Sequence, residues 1–505
     1  MPRAFPPLLP PLTRRACLAQ SLALAAAPAL AAAPSGRRHV TLNLTLEPDS
    51  LDPTMAAAAA VGEVVHLNIF EGLTRIGEDG RVSPLLAQSW QVDASQRRYT
   101  LRLRPGVRFH DGQAFNADCV RFSFARAVAP GSTNKARKAL FDNLASVETP
   151  DPLTVVLQLQ HPDAQLLFRL GESPAVILHP ASAAQAASAP VGTGPYRLAG
   201  PWRRGQPIDL VRAPSWHPPA QVRMDSARLL FVTDLDQKPE VLARGEIDLY
   251  FHYAVNTLQT LLTDDRYQVL FGNSSGKGLL ALNHRRTPLG DVRVRRAITH
   301  AIDREAFIRQ VLDGRGSAIG SHFSPVDPGY VNLAHQYPYD PERARALLRE
   351  AGVAPGLRLG LALPPLMYAR SGAPLITADL ARVGITLQPQ LLSWPQWLAG
   401  PFKGDFDMTL INHVEPLDYP IYTDPQYYFG YDSPAFRQRV AQYHASVQPR
   451  QRQQLWAQLQ RHLAEDAVNA WLFAPQLSSV LRKGLRGVWL HYPVYAHDIA
   501  AMWWE

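Results

Sequence analysis

Apolar and polar residues alternate over Val40–Leu46, a pattern that predicts a half-buried strand, and the turn-forming cluster Glu47–Pro53 closes it. The same period of two recurs over Tyr99–Arg104, predicting a strand there too, and Leu153–Leu159 reads as a third strand. Pro105 and Gly106 break the pattern before Val107–Gly112, which reads as a further strand and turn. Elsewhere the period lengthens to that of a helix. Val61–Phe70 is an apolar helical stretch, and Val294, Ile298 and Ala301 share one face of a helix over Asp291–Ile302. Asp340 as cap, Pro341 at the first helical position and Gly352 as terminator bound a third helix. Asn116 or Asp118 caps a helix running to Val128, and Pro374–Val383 reads as another. Gly192–Tyr196 is a glycine turn feeding a strand. Strands and helices mix throughout without a fixed repeat, which predicts an α/β architecture.

At 505 residues the chain exceeds the roughly 250–300 at which single cores stop growing, so at least two lobes are expected. A content of 46% hydrophobic and 19% charged residues is that of a folded chain, and 44 prolines call for many irregular connections between short elements.

The first residues form a segment of another kind. Arg14 and Arg15 precede an apolar run to Leu30 and the small residues Ala31–Ala33, which together read as an export signal cleaved near residue 33. The paired arginines resemble a twin-arginine signal, although Cys17 stands where a large apolar residue is common. The run is too short for the roughly 20 residues that span a bilayer, which disfavours an integral membrane protein and places the mature chain outside the cytoplasm.

The net charge of +8 includes Arg3, Arg14 and Arg15 of that segment, and the remaining surplus is spread along the chain without a basic block bearing interleaved aromatics. Nucleic-acid binding is therefore not expected. Removal of Cys17 leaves Cys119 alone, so no internal disulfide forms, and Cys119 is expected as a small buried hydrophobe.

Several phrases carry a resemblance. Glu71–Leu73, Pro84–Trp90, Leu103–Gly112, Gly192–Tyr196, Ala243–Asp248, Leu280–Asn283, Val292–Ile298 and Tyr339–Leu348 together resemble the extracytoplasmic solute-binding proteins of the peptide and nickel family of ATP-driven (ABC) importers. The resemblance implies a two-lobed periplasmic binding protein fold, type II in its large three-domain variant, with a ligand cleft between lobes. It further implies one discontinuous lobe from 34–80, 188–272 and 478–505, a smaller domain inserted at 81–187, and a second lobe over 273–477. The implied partners are a small molecule or short peptide and an inner-membrane permease with its ATPase subunits, the binding protein acting as a monomer without a cofactor.

Peptide-binding members of that family carry an acid-x-x-Asp segment after an apolar strand, the first acid pairing with the peptide's terminal ammonium. Asp407–His413 reads as the strand, and Glu415 and Asp418 fall in the matching places. A carboxylate beside a desolvated ammonium forms a charge-assisted pair, whereas the alternative for both acids is a loop cap or structural ion pair. Arg370 is a candidate fork for a ligand carboxylate. Arg137 resembles a pocket arginine of nickel-type relatives. Trp394, Trp397 and Tyr422, with Tyr427, Tyr428, Phe429 and Tyr431, are candidates to wall a cleft, with core packing as the alternative.

Metal and enzyme readings are weaker. The 16 histidines form no helical or paired ligand spacing, and Val414 and Leu417 stand where nickel importers place Trp and Tyr, so no metal site is expected. Gly272–Gly276 has the spelling of a hydrolase nucleophile elbow around Ser274, but the strand expected at Leu279–Leu282 leaves no helix for an elbow to lead into. Gly314–Gly320 imitates a dinucleotide fingerprint but follows a helix. A metal-chelate binder and a secreted hydrolase thus stand as the alternatives to peptide capture.

Overall fold

The computed structural model describes residues 36–505 apart from 45, 57–58, 135, 137–139, 215, 217–221, 233–243 and 252–261. The expected signal segment and Arg137 lie outside the described residues.

A twelve-stranded sheet organises the chain, and one strand, Ala470–Arg482, joins its two halves. Its beginning pairs antiparallel with Lys277–Leu282, and its end pairs antiparallel with Tyr267–Asn273 and Leu249–Phe251. Thirteen residues at about 3.4 Å each are long enough to run through both halves. On one side lie His39–Asn43, Ser226–Leu230, Ile208–Arg212 and Tyr196–Leu198; on the other, Met408–His413, Leu357–Leu363 and Ile385–Leu391. These halves are the two lobes of a periplasmic binding protein fold, as the resemblance implies. A separate four-stranded antiparallel sheet is built from residues 87–159. It has its own core, where Tyr99, Leu101, Phe109, Val120 and Leu157 are buried together. Cys119 lies in that core with 2% of its surface exposed, as expected for a small hydrophobe.

Three of the recognisable phrases meet at one knot. Gly194 and Tyr196 donate their N–H groups to the carbonyls of Ile69 and Asn68, both at 2.9 Å, and His110 donates its N–H to the Gly192 carbonyl at 2.9 Å. A Cβ on Gly192 would stand 1.9 Å from the Ile69 carbonyl oxygen, so only glycine lets the strands approach. Glu71 completes the knot by accepting from the Thr193 hydroxyl at 2.8 Å and the Trp216 indole N–H at 3.2 Å.

Local signals translate with small shifts. Asn116 caps Ala117–Ala127 by accepting from the N–H groups of Asp118 and Cys119, and Asp340 caps Pro341–Glu350. Val294, Ile298 and Ala301 are fully buried on Val292–Ala301, as their spacing predicts. The neighbouring Arg295 is buried as well, its guanidinium donating to the carbonyls of Leu289, Gly290, Asp466 and Ala467. Val107–Gly112 departs from the expectation of a strand: the segment forms turns with a single bridge between Arg108 and Ala114. The helix read as Pro374–Val383 also differs, running over Met367–Ala381 with Pro374 inside it. Its buried face already includes Ala369, Gly372 and Ala373, so packing begins the helix before the proline.

Candidate functional site

A cavity of about 420 Å³ opens where three stretches of chain converge. The first is the helix Ala59–Val65 and the residues just after it, bringing Val61, Gly62 and His66. The second is the turn-rich segment from Arg169 to Pro174, and the third is the loop from Val414 to Asp424. Tyr427 and Tyr495 complete the polar rim. Of the expected ligand contacts, Glu415 and Asp418 both line this cavity.

The loop owes its position to the strand Met408–His413, which pairs with Lys277–Leu282 along its whole length. At its end Leu417 adopts a left-handed backbone (φ 50°), rare for a leucine, while its side chain stays 4% exposed in the core. That bend turns Asp418 inward. Asp418 Oδ1 accepts from the Lys277 ammonium at 2.6 Å and from His322 Nε2 at 2.8 Å, and Oδ2 accepts from His413 Nδ1 at 3.2 Å. Burial alone would raise this carboxyl, but His322 and the Lys277 charge outweigh it and hold it well below the usual carboxylate range. Lys277, 1% exposed, also donates to the Glu415 carbonyl at 2.6 Å, so the same ammonium fixes the loop backbone.

The Tyr422 and Tyr428 hydroxyls close the network. Burial pushes the His322 imidazole down to about 3, and its Nδ1 accepts from the Tyr422 hydroxyl at 2.9 Å. Asn469 donates to that hydroxyl at 3.2 Å, and His413 Nε2 meets the Tyr428 hydroxyl at 3.0 Å. His322, His413 and Asp418 place three potential metal-ligand atoms within 4.8 Å of one another. Their lone pairs are committed to hydroxyl donors and their negative charge to Lys277, which suits a structural network and not a cation site.

The other candidates lie elsewhere. Tyr422 is fully buried behind the loop, where it stacks on Phe429 and orients His322 instead of walling the cavity. Trp397 is 4% exposed and donates its indole N–H to the Thr409 hydroxyl at 3.0 Å. Trp394 is 39% exposed and packs edge-on against Trp397. Arg370 is exposed on the helix Met367–Ala381 and is not among the residues that line the cavity. Ser274 sits between two strands, buried, with its hydroxyl donating to the Pro475 carbonyl at 3.2 Å, so the elbow spelling has neither the helix nor the exposure that a nucleophile needs.

Sequence reasoning passed over the opposite wall. Arg169 lines the cavity with Nε donating to Asp163 at 3.2 Å. Burial would raise the Asp163 carboxyl, yet Arg169 and His444 hold it down at about 2. Asp163 and its neighbours also touch distant parts of the chain, since Ala164 donates to His444 Nδ1 at 3.1 Å and His444 Nε2 meets the Tyr419 hydroxyl at 3.0 Å. The wall that carries Arg169 is thereby tied to the chain just after Asp418. Neither Arg169 nor Asp163 stands in a recognisable phrase; the two pair locally, six residues apart, and what the sequence hides is the contact of this segment with His444, 280 residues away from Ala164.

Residues 81–433 match the family of bacterial extracellular solute-binding proteins, family 5 (Middle). The chain belongs to this family. It is similar to heme-binding protein A of Haemophilus influenzae, 30% identical over 354 residues, and to di/tripeptide-binding protein 2 of Pseudomonas aeruginosa, 28% identical over 430 residues. The first match covers 64% of each chain, so this solute-binding protein spans just under two thirds of that relative's length; the second covers 79% of this chain and 80% of the relative. The periplasmic binding protein DppA from Helicobacter pylori, solved with the peptide STSA, superposes with a TM-score of 0.77 at 22% identity, over 92% of this chain and 98% of that one. That likeness establishes the fold. Among the described residues no helix is long and apolar enough to cross a membrane.

Proposed function

We propose that the protein captures a short peptide outside the cytoplasm and delivers it to an inner-membrane permease driven by ATPase subunits. The observation that carries this reading is the Glu415 carboxylate at the rim of a cavity lined mainly by apolar groups, on a loop held rigid by the buried Lys277–Asp418 pair. A carboxylate so held is suited to a peptide's terminal ammonium, and lobe closure around the ligand lowers the local dielectric and strengthens the pair. The similarity to a di/tripeptide-binding protein supports the ligand class. In this reading the second lobe spans about 273–477, the first lobe surrounds the inserted domain at 81–187, and the chain passes between lobes beside Ser274 and Pro475. Closure then requires no new fold, only rotation about these crossings.

Native mass spectrometry of the protein purified from cells is the direct test, with peptides bearing a free amino end as the expected cargo. Glu415→Gln lowers affinity for such peptides by about tenfold to a hundredfold, since a hydrogen bond to a charged partner is replaced by a neutral one. Equal binding of an amino-acetylated peptide overturns the role of Glu415.

A further inference from the structure

Leu417 also lines a second cavity, of about 640 Å³, which shares no other residue with the first among those described. Val82, Leu167, Phe168, Tyr443 and Trp456 give it apolar walls, and no aspartate or glutamate is among the described residues that line it. The walls are held in place. The Trp456 indole donates to the Pro328 carbonyl at 2.8 Å, a Cβ on Gly329 would stand 2.9 Å from the indole Cδ1, and the Tyr443 hydroxyl accepts from Gln165 at 2.5 Å. A volume of this size, walled by fixed aromatic rings with few polar groups, is the form that small-molecule sites take.

Two arginines line the cavity, and they are not equivalent. Arg81 lies beside Asp79, its Nε 3.4 Å from Oδ2. Arg452 is half-buried and held by neutral groups only: Nε donates to the Ser446 carbonyl at 3.0 Å, and Nη2 donates to the same carbonyl at 2.5 Å and to Gln96 Oε1 at 2.9 Å. Among the described residues no carboxylate pairs with it, and its Nη1 makes no hydrogen bond. Asp163, one residue before Ala164 of the lining, is committed to Arg169. A cation withdrawn from water keeps the cost of its desolvation until an anion offsets it, and the guanidinium fork fits a carboxylate.

We infer that this second cavity binds a small amphipathic anion, an aromatic or aliphatic body bearing one carboxylate, with the apolar part against Phe168 and Trp456 and the carboxylate on Arg452. The site is distinct from the one proposed for peptide, because its unpaired charge is opposite in sign to that of Glu415. An amide of the same shape forgoes the charge-assisted bond, and an amine is repelled by the arginine.

Hydrocinnamate and its primary amide, titrated calorimetrically into the wild type, Arg452→Gln and Val82→Trp, test this; the last variant places an indole inside the cavity. The wild type is expected to bind the carboxylate about tenfold more tightly than the amide, Arg452→Gln to lose that preference, and Val82→Trp to bind neither. No binding by the wild type, equal binding of acid and amide, or a preference that survives in Arg452→Gln overturns the inference. Binding that survives in Val82→Trp puts the probe elsewhere and overturns it too. If one variant does not fold cooperatively, the other and the wild-type comparison decide by the same criteria. Trialanine titrated into the wild type reads the first cavity separately: its failure to bind overturns peptide capture and leaves this second site standing.

Discussion

The two walls of the cavity solve the problem of buried polarity in opposite ways. Behind Glu415, the acid, ammonium, imidazoles and hydroxyls of Asp418, Lys277, His322, His413, Tyr422 and Tyr428 are paired with one another. Beneath the facing helix, Oε2 of Glu63 is buried without a hydrogen-bond partner among the described residues, and the His66 imidazole is buried beside the Gly171 backbone. The consequence appears in protonation: Asp418 is held charged, whereas burial raises the Glu63 carboxyl to about 7 and lowers His66 to about 4, favouring the neutral form of each. A wall of mutually satisfied charges is rigid before ligand arrives. A wall of buried neutral groups carries no fixed charge.

The sharpest way to break this contrast is to remove one charge from the satisfied wall. Lys277→Met leaves Asp418 buried without its cation, and the expected loss is about 3–5 kcal/mol of stability, seen as a fall in the urea midpoint. Adding Asp418→Asn to it recovers part of that loss, because the uncompensated charge is gone. A single variant as stable as the wild type would mean that the network is not what fixes the loop.

The unsatisfied wall makes the opposite prediction. Glu63, raised from 4.5 to about 7 in the folded protein, binds more protons folded than unfolded between those values. Its contribution is therefore fully present below about pH 4.5, falls as pH rises through 7, and is flat above. Glu63→Gln mimics the protonated acid, so the variant is expected to be more stable than the wild type at pH 8 by up to about 3 kcal/mol, with the difference vanishing near pH 4.5. Urea melts of both proteins across that range measure it, and the paired difference cancels other groups titrating in the same window, such as Asp327. A variant less stable at pH 8 would show that Glu63 is charged and partnered.

These contrasts also mark how far the sequence could be read. The fold was legible because its phrases have local causes: the glycines of Gly192–Tyr196 are demanded by one close backbone approach, and the caps at Asn116 and Asp340 act within three residues. Glu415 and Asp418 were legible as a pair because both follow one apolar strand. The partners that give Asp418 its role were not, since Lys277 and His322 lie about 140 and 100 residues away and each reads alone as an ordinary surface residue. His66 was hidden for another reason. Inside an apolar stretch it has no motif, and only its burial at the cavity wall distinguishes it. Tyr422 looked like a cavity aromatic because composition cannot tell which side of a loop a ring faces.

A smaller effect sharpens the satisfied wall. Tyr422→Phe deletes only the hydroxyl that serves His322 and leaves the ring packed on Phe429. Stability is expected to fall by about 1–2 kcal/mol, with peptide affinity changed only through the loop that His322 and Asp418 hold. A drop in affinity larger than the loss of stability accounts for would move Tyr422 from the supporting network to the ligand.

The smallest effect belongs to Arg370. The helix Met367–Ala381 carries it on an exposed face, and Pro374, which lacks an N–H, cannot donate the usual helical bond to the Arg370 carbonyl. That helix packs into a core with Leu280, Leu359 and Leu361 through Ala369, Ala373, Ile376 and Leu380, and Arg370 is not among the residues that line the cavity. Arg370→Ala is therefore expected to change stability by less than about 0.5 kcal/mol and peptide affinity by less than about twofold. Calorimetric titration of a peptide with a free carboxylate, against its amide, checks this directly. A carboxylate preference that disappears in Arg370→Ala would bring this helix to the ligand and replace the contrast of two walls with a site of three.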